Sequence, residues 1–343
     1  MGIAAAVLGA SGYAGGELVR LLDGHPDIEL TFVGGHASEG RRLSELHPQL
    51  DGGERVLGAI SLESIPAVEV IFLALPHGAS ANLAAAAADQ GVTVVDLGSD
   101  MRLDSVERYR SAYGMDHPLP AELGRWYYGL PEVTGNPNAG STRVSAPGCY
   151  PTAALLAIAP LVKAGIASPA GIVVNAVSGV TGAGRALQTD LLFGEVAEGV
   201  RPYGLGGHRH RPEMEMALER MAGVQVSLSF TPHLAPIQRG LVATVTAPMT
   251  RAVDTGDLLE TLGAFYEGRR FVEVIDRPPP TRWVSGSNRA MVTATVDDHA
   301  GMVIAVAVID NLLKGAAGQA VQCANLALGL DEGAGLPTAG LMP

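Results

Sequence analysis

The sequence contains few cysteines and few basic residues. Only two cysteines, Cys149 and Cys323, occur among 343 residues. Because they lie far apart in a long chain, we expect no disulfide framework. Lys and Arg number 23 against 35 acidic residues, which gives a net charge of −12. No basic cluster offsets that charge, so we expect no nucleic-acid partner.

Long apolar runs are also missing. No run reaches the roughly 18–20 residues that cross a bilayer, and the apolar stretch Met1 to Leu8 lacks the basic segment of a signal peptide. We therefore expect a cytoplasmic protein with no membrane partner. A hydrophobic content of 47% with 17% charged residues is typical of a packed globular chain. The length favours two domains.

A glycine-rich turn follows the first apolar run. Ile3 to Leu8 predicts a buried parallel strand, and helical apolar spacing begins at Glu17. Strand, glycine turn and helix are typical of a dinucleotide site, in which the pyrophosphate lies on the helix N-terminus. The alternative is a glycine turn without a ligand. The candidate cofactor residues in this turn are Gly9, Ser11, Gly12, Tyr13, Ala14 and Gly15.

The end of the second predicted strand, Ile28 to Val33, indicates which dinucleotide binds. A site for NAD usually places an acid there, but none occurs before Glu39. Ser38 and Arg41 follow instead, and a hydroxyl with a guanidinium suits a 2′-phosphate. The sequence therefore favours NADP(H), although the arginine could be a solvated loop residue.

The α/β alternation continues through two more predicted strands, Glu69 to Leu75 and Val92 to Asp96, with a helix at Ala79 to Gln90 between them. Ligands of open α/β sheets bind beyond the carboxyl ends of the strands. Residues after these strand ends are therefore candidates, although each could cap or pair locally. They are Leu75, Pro76, His77 and Arg102. The pattern between Ser105 and Arg143 is irregular.

Cys149 lies between a predicted tight turn and an apolar helix. Pro147 and Gly148 favour the turn, Pro151 suits the first helical position, and Pro160 is expected to kink or end the helix. Free N–H groups and the positive end of the helix would lower the thiol pKa. Cys149 is therefore a candidate nucleophile, and a buried structural cysteine is the alternative. Cys323 is expected to be core.

The second half reads as α+β. Strands are predicted at Gly171 to Ala176, Val224 to Thr231, Gly240 to Ala247, Met291 to Val296 and Met302 to Ile309. After the first of them, Ser178 and Gly179 open a glycine-rich loop that ends at Arg185. Backbone N–H groups of such a loop could bind a phosphate or carboxylate.

A cationic segment precedes the predicted helix Pro212 to Met221. His208 and His210 could provide acid–base catalysis, and Arg209 could hold an anion. No compact set of further ligands accompanies the histidines, so no metal site is expected. A solvated cationic loop is the alternative. Glu213, in the same segment, is a candidate substrate contact with Arg102, Arg185 and Arg209.

Several motifs together resemble the N-acetyl-γ-glutamyl-phosphate reductase family of arginine biosynthesis. The resemblance runs from Gly9 to the end of the chain. It is carried by Gly9 to Leu18, Leu75 to Gly78, Tyr128 to Glu132, Pro147 to Thr152, Gly207 to His210, Pro232 to Leu234 with Arg239 and Gly240, and Asp310 to Leu312 with Lys314 to Ala320. A departure from the family's usual residues occurs at Gly34 to Ala37.

The resemblance implies an α/β fold in which a Rossmann-type NADP-binding domain (1–148 with 312–343) joins an α+β catalytic domain (149–311). The second domain would carry a mixed or antiparallel sheet, like those of glyceraldehyde-3-phosphate and aspartate-semialdehyde dehydrogenases. The His77 loop and the stretch from Asn311 to Gln319 would lie near the cofactor. The chain would form a homodimer or homotetramer.

The resemblance also implies a mechanism. Cys149 would attack an acyl-phosphate substrate to form a thioester, and NADPH would reduce it to N-acetylglutamate 5-semialdehyde. His208 or His210 would move the proton, with His208 preferred because it follows two glycines. Aspartate-semialdehyde dehydrogenase, a carrier-protein-linked aminoadipate or glutamate relative, and a non-catalytic NADP(H)-binding redox sensor are the alternatives.

Overall fold

The computed structural model describes residues 2–50 and 54–342. Its strands are β1 (Ile3–Leu8), β2 (Ile28–Gly34), β3 (Val70–Leu73), β4 (Thr93–Asp96), β5 (Tyr127–Tyr128), β6 (Arg143–Ser145), β7 (Ala170–Gly179), β8 (Arg201–Pro202), β9 (Ser227–Ala235), β10 (Leu241–Pro248), β11 (Val272–Val274), β12 (Ala290–Asp297) and β13 (Met302–Ile309). Its α-helices are α1 (Tyr13–Asp23), α2 (Leu43–Leu46), α3 (Ala81–Asp89), α4 (Val106–Tyr113), α5 (Pro131–Thr134), α6 (Cys149–Lys163), α7 (Phe193–Val196), α8 (Arg211–Ala222), α9 (Thr255–Phe265) and α10 (Gly318–Ala327). A π-helical turn, Leu313–Ala317, directly precedes α10.

Six parallel strands form the first sheet, in the order β2-β1-β3-β4-β6-β5. β1 is buried from Ala5 to Leu8, as expected for a strand covered on both faces. Leu18 of α1 and Val321 of α10 pack on one face, and Ala84 of α3 packs on the other. The predicted Rossmann-type architecture is confirmed.

Seven strands form the second sheet, in the order β11-β12-β13-β10-β7-β9-β8. Its central pairs are antiparallel, whereas β7–β9 and β11–β12 are parallel. Alternate residues of β10, from Leu241 to Ala247, are buried in the same core as α6. The predicted α+β half with a mixed sheet is confirmed.

Helix α6 continues through Pro160 to Lys163, so the proline does not end it. Proline has no N–H to donate to the carbonyl of residue 156. The Tyr266 hydroxyl supplies that hydrogen bond instead, at 2.6 Å from the Leu156 oxygen. Pro151 is the third helical residue, not the first.

The chain returns to the first sheet after β13. Leu313, Ala317 and Val321 join the core beside α1. His25 Nε2 lies 3.0 Å from Asn325 Oδ1, which connects the end of α1 to α10. The last helix therefore completes one face of the first sheet.

Two local expectations are wrong. The stretch 105–143, predicted to be irregular, contains α4, which the Ser105 side chain caps by accepting the Arg108 N–H and which Gly114 ends at a φ of 68°. It also contains β5 and α5. The strand predicted to end at Thr231 continues to Ala235, because β9 pairs in parallel with β7 over that length.

Candidate active site

A cleft of about 330 Å³ lies between the two sheets. Residues predicted from the sequence line it, among them the cysteine, one of the two histidines of the cationic segment, three arginines and part of the glycine turn. The predicted site residues that line it are Gly12, Tyr13, Ala14, Gly15, Leu75, Pro76, His77, Arg102, Cys149, Arg185, Arg209, His210 and Asn311. The structure therefore brings residues from distant parts of the chain into one cavity.

Cys149 is the first residue of α6, after Gly148, which provides no side-chain cap. The first-turn N–H groups consequently have no intrahelical acceptor, and those of Cys149 and Tyr150 favour the thiolate. Burial outweighs them and raises the pKa of the thiol to about 11, although the Arg102 charge opposes it. The expectation of a lowered thiol pKa is therefore wrong for this structure, because desolvation exceeds the effect of the helix end.

His210 packs against the backbone that precedes Cys149. It is 6% exposed, and a Cβ atom at Gly148 would lie 2.6 Å from its Nε2. Its Nδ1 is buried without a hydrogen-bond partner among the described residues. Glycine at 148 is thus what allows the imidazole to approach the nucleophile turn.

His208 does not line the cleft. Its ring packs edge-on against Tyr150 and Phe230, and its Nδ1 accepts the N–H of His210. Burial and the Arg209 charge lower its pKa to about 4. Burial and the neighbouring cationic groups hold the pKa of His210 well below its usual value. The geometry thus favours His210, as a neutral base, over the sequence-based preference for His208.

Glu213 joins α8 to the nucleophile turn. Its Oε1 accepts 2.8 Å hydrogen bonds from the Gly148 N–H and the Tyr128 hydroxyl. Its Oε2 lies 3.4 Å from Arg102 Nη1, and Arg102 Nε donates to the Ala146 carbonyl at 2.9 Å. The Glu213 carboxylate is 1% exposed, already bonded and outside the residues that line the cleft, so its contacts hold the turn in place, and its contact with a substrate stays a prediction.

The three arginines that are predicted to contact an anion line the cleft but differ in exposure. Arg102 is buried, whereas Arg185 and Arg209 are exposed. Arg185 Nη1 donates to the Leu46 carbonyl at 2.7 Å, so it reaches from the second half to the first. Arg209 forms no salt bridge with any described residue and is free to hold an anion.

The glycine turn leaves room for a dinucleotide. At Gly9, where φ is 89°, a Cβ atom would lie 2.3 Å from the Ala74 oxygen, and at Gly15 it would lie 2.2 Å from the Gly9 oxygen. These two glycines let the turn close tightly under α1. Gly12 starts α1 without a side-chain cap, so the first-turn N–H groups remain available for a phosphate. The turn fits the predicted cofactor.

Other predicted cofactor residues lie away from the cleft. Arg41 pairs with Glu45 on an exposed loop that also carries Ser38. Ser11 is outside the lining set, although its carbonyl lies 3.3 Å from Arg185 Nη1. Gly9 supports the turn from behind.

Ser178 and Gly179, predicted to open a loop, are the last two residues of β7, and the amides at this strand end are not available for an anion. The Gly179 N–H donates to the Gly240 carbonyl and the Val180 N–H to the Ile237 carbonyl, while the Ser178 hydroxyl donates to the carbonyl of its neighbour. Asn311, in contrast, lines the cleft and donates to Thr181 Oγ1 at 2.9 Å.

Gln319 is fully buried and donates to Cys323 Sγ at 3.4 Å. The predicted packing role of Cys323 is consistent with its complete burial. Gln319 therefore contacts the core and does not line the cleft.

Sequence reasoning missed a buried ion pair behind the cysteine. Lys314 Nζ lies 2.6 Å from Glu132 Oε1, and both side chains are at most 1% exposed. The pair fixes the π-helical turn, where Gly315 packs so closely that a Cβ atom would lie 2.8 Å from Cys149 Cβ. A single lysine in an apolar segment was the available signal.

Within residues 2–50 and 54–342, no group of three or more His, Cys, Asp or Glu side chains is arranged to hold a metal ion. No α-helix in the same described ranges has the length and apolar character needed to cross a membrane.

Comparison with known proteins agrees with this arrangement. A family model described as "Semialdehyde dehydrogenase, NAD binding domain" matches residues 4–140, and one described as "Semialdehyde dehydrogenase, dimerisation domain" matches residues 149–311. An N-acetyl-gamma-glutamyl-phosphate reductase of Salinispora tropica is 48% identical, and one of Pseudarthrobacter chlorophenolicus is 44% identical; each match covers 100% of both chains. This chain belongs to the N-acetyl-γ-glutamyl-phosphate reductase family.

Solved structures support the fold of this N-acetyl-γ-glutamyl-phosphate reductase family member. Aspartate semialdehyde dehydrogenase II of Vibrio cholerae superposes with a TM-score of 0.69 at 20% identity, covering 95% of this chain and 98% of that one. The aspartate semialdehyde dehydrogenase of Candida albicans, solved with NADP, gives 0.66 at 15% identity with the same coverage. At these identities the likeness concerns architecture alone.

Proposed function

We propose that the chain catalyses the NADPH-dependent reduction of N-acetyl-γ-glutamyl phosphate to N-acetylglutamate 5-semialdehyde and phosphate, a step of arginine biosynthesis. The observation that carries the proposal is the meeting of Cys149, His210 and the glycine turn of α1 in one cleft. A nucleophile, a neutral base and a dinucleotide cradle are the three parts that reduction of an acyl phosphate requires. Full-length identity of 44–48% to reductases of that name supports the substrate.

Tyr13, Ala14 and Gly15 would hold the cofactor pyrophosphate through their backbone N–H groups, and Leu75 to His77 would border it. The 2′-phosphate contacts of Ser38 and Arg41 remain a prediction. When bound, NADPH supplies the hydride that reduces the acyl group. The acyl transfer, the proton movements and the release of the aldehyde depend on residues of this chain.

Acyl transfer comes first. Cys149 sulfur forms a bond to the γ-carbonyl carbon of the substrate, and the bond from that carbon to the phosphate oxygen breaks, which leaves a thioester. His210 takes the thiol proton and passes it to the departing phosphate. The N–H groups at the start of α6 face the developing oxyanion, and Arg209 offers a cation for the phosphate.

Reduction of the thioester carbonyl gives a tetrahedral adduct on Cys149. Its carbon–sulfur bond then breaks, the aldehyde leaves, and the sulfur is returned as a thiolate that takes a proton from water. Arg102 stabilises this thiolate, since its charge already acts to lower the thiol pKa. Glu213 keeps the turn in place through the Gly148 N–H.

The organisation of the chain forms part of the proposal. Residues 1–148 with 312–343 would constitute the cofactor-binding domain and residues 149–311 the catalytic one, with a cytoplasmic location. The match of 149–311 to a dimerisation domain supports self-association, as a homodimer or homotetramer.

The reverse reaction provides the test. Phosphate-dependent reduction of NADP⁺ should be fast with N-acetylglutamate 5-semialdehyde and slow with aspartate semialdehyde. An equal or greater rate with aspartate semialdehyde would assign the chain to the alternative dehydrogenase. NADPH binding without turnover of either aldehyde would instead support the redox-sensor alternative.

A further inference from the structure

A cluster of buried polar side chains lies behind the cleft, next to His77. Asp96 ends β4, Asp100 follows it in the next loop, and Ser80 precedes α3; all three side chains are completely buried. His77 lines the cleft and its ring stacks on Tyr113, with 4.0 Å between the centroids. None of the steps above uses this cluster.

Asp100 accepts hydrogen bonds on both carboxylate oxygens. Its Oδ1 accepts the Gly78 N–H at 2.8 Å and lies 2.9 Å from His77 Nδ1. Its Oδ2 accepts the N–H groups of Ser80 and Ala81 at 3.1 and 3.3 Å. Three backbone N–H groups thus donate to this carboxylate without the Ser80 hydroxyl, which is the environment of an ionised acid.

The Ser80 hydroxyl contacts both acids. Its Oγ lies 3.0 Å from Asp100 Oδ2 and 3.0 Å from Asp96 Oδ2. A hydroxyl carries a single proton and can donate to only one of them. The other contact is favourable only if that carboxyl group is protonated and donates to Oγ. Since Asp100 already accepts three backbone N–H groups, whereas Asp96 accepts only that of Gly98, the protonated acid is Asp96.

The charges around Asp96 also favour its protonated form. Burial, together with the Asp100 charge, raises the pKa of Asp96 to about 7, against the opposing effects of the Gly98 N–H, the Ser80 hydroxyl and Arg102. The groups facing Asp100 from the other side are His77 and the ring of Tyr109. His117 Nε2 lies 3.0 Å from the Asp100 carbonyl oxygen.

We propose that Asp96 is a neutral carboxylic acid that heads a hydrogen-bonded chain through Ser80 and Asp100 and fixes the tautomer of His77. In this chain the Asp96 hydroxyl donates to Ser80 Oγ, Ser80 donates to Asp100, and His77 Nδ1–H donates to Asp100. Nδ1 also contacts Ser99 Oγ at 2.8 Å. Asp96, Ser80 and Asp100 are positioning residues.

The fixed tautomer leaves His77 Nε2 as an acceptor. Burial lowers the pKa of His77, with the Asp100 charge opposing the shift, so the ring is neutral and Nε2 carries a lone pair. That atom is buried without a hydrogen-bond partner in the described chain. It therefore fits an amide N–H or hydroxyl of a ligand in the cleft. This role rests on the proposed function, but the protonation of Asp96 does not.

Infrared spectroscopy of the ligand-free protein tests the protonation directly. The carbonyl stretch of a protonated carboxylic acid should be present at pH 6, should disappear above pH 8, and should be missing from an Asp96→Asn variant at every pH. A parent spectrum without that band at pH 6, or one in which Asp96→Asn leaves it intact, would overturn the proposal whatever the enzyme's substrate proves to be.

Two amide variants test the positioning. Asn at 96 keeps the donor to Ser80 Oγ and the acceptor for the Gly98 N–H, so kcat/KM at pH 7 should stay within about twofold of the parent. Asp100→Asn presents an amide to the same donors and frees the imidazole to adopt the other tautomer, so kcat/KM should fall roughly tenfold or more. Equal losses of kcat/KM in the two variants would contradict the proposed hydrogen-bonded chain.

The pH dependence of stability and the ligand effects complete the test. Because the pKa of Asp96 is raised above its unfolded value of 3.8, the parent should lose stability relative to Asp96→Asn as the pH rises from about 4 to about 7. An unchanged difference in stability between the two proteins would contradict a neutral Asp96.

His77→Ala tests the acceptor role of Nε2. The variant should bind NADPH more weakly if Nε2 accepts from the cofactor, and should raise the substrate KM alone if it accepts from the substrate. No effect on either would overturn the acceptor role.

Discussion

Glu213 accepts a 2.8 Å hydrogen bond from the backbone N–H of Gly148, the residue directly before Cys149. The contact joins α8 to the start of α6, two helices that are far apart in the sequence. His210, at the start of the same α8, packs against Gly148 from the other direction. One helix therefore positions the turn, the base and the nucleophile together.

Glu213→Gln tests that connection. The amide oxygen can still accept from Gly148 and Tyr128, but the amide NH2 group then faces Arg102, so one buried donor loses its acceptor. We expect the free energy of unfolding to fall by about 1–3 kcal/mol and kcat to fall more than KM rises. Denaturant unfolding and steady-state kinetics measure both. Glu260→Gln, on the exposed face of α9, is the control and should change neither.

Cys149→Ser should abolish turnover while leaving NADPH binding intact. The hydroxyl fits the same space, but it is a poor nucleophile beside a neutral imidazole, so the rate should fall on the order of 10⁴-fold or more. Cofactor fluorescence measures binding and mass spectrometry measures the thioester. Appreciable turnover by the serine variant would remove Cys149 from the mechanism.

The alkylation of Cys149 should depend steeply on pH. Because burial raises the pKa of this thiol to about 11, the thiolate fraction of the ligand-free protein should grow roughly tenfold per pH unit from pH 7 to pH 10. The rate of modification by iodoacetamide, followed by mass spectrometry, reports it. A plateau near pH 7 would show that the helix end, not burial, determines the thiol pKa.

His210→Gln and His208→Gln form a matched pair. Loss of the base that lines the cleft should reduce kcat by about 10²–10⁴-fold. The kcat of the His208 variant should fall roughly tenfold or less, because His208 does not line the cleft and its loss affects only the acceptor of the His210 N–H. Steady-state kinetics at pH 7.5 compares them, and the reverse ranking would restore His208 as the proton carrier.

Tyr266→Phe should leave the Leu156 carbonyl without a donor and lower the free energy of unfolding by about 1–3 kcal/mol. The cost should shrink by about 1 kcal/mol when the change is made together with Pro160→Ala, because residue 160 then donates its own N–H to that carbonyl. Denaturant unfolding of both single variants and the double variant closes the cycle. As a control, Tyr13→Phe, at an exposed tyrosine, should leave the free energy of unfolding unchanged. Simple additivity of the two single changes in the double variant would contradict the inference that the Tyr266 hydroxyl replaces the missing N–H of residue 160.

The local chemistry of the site could be predicted from the sequence, whereas its electrostatic balance could not. Gly9, Gly12 and Gly15 predicted a tight turn before α1, and close backbone contacts require glycine at two of them, Gly9 and Gly15. The pKa of Cys149 was expected to fall, since a sequence shows the start of a helix but not how deeply it is buried. Which histidine lines the cleft depended on the direction of α8, which the pattern around Pro212 does not specify.

Long-range partners were equally inaccessible. Lys314 and Glu132 are separated by most of the second half of the chain, and nothing near either residue indicates the other. The Tyr266 hydroxyl that carries α6 past Pro160 is a similar case, because it replaces a local hydrogen bond with one from a distant helix. Ser105, by contrast, was a readable capping signal for α4 that the irregular composition around it obscured.

The return of the chain to its first sheet has a consequence for its synthesis. Leu313 and Val321 belong to the same core as β1 and α1, so a nascent chain that ends at Asp310 leaves part of one face of that sheet exposed to water. Domains usually fold in the order in which they leave the ribosome. Here the half that is translated first is completed last, when the final helix packs against the sheet that carries the glycine turn.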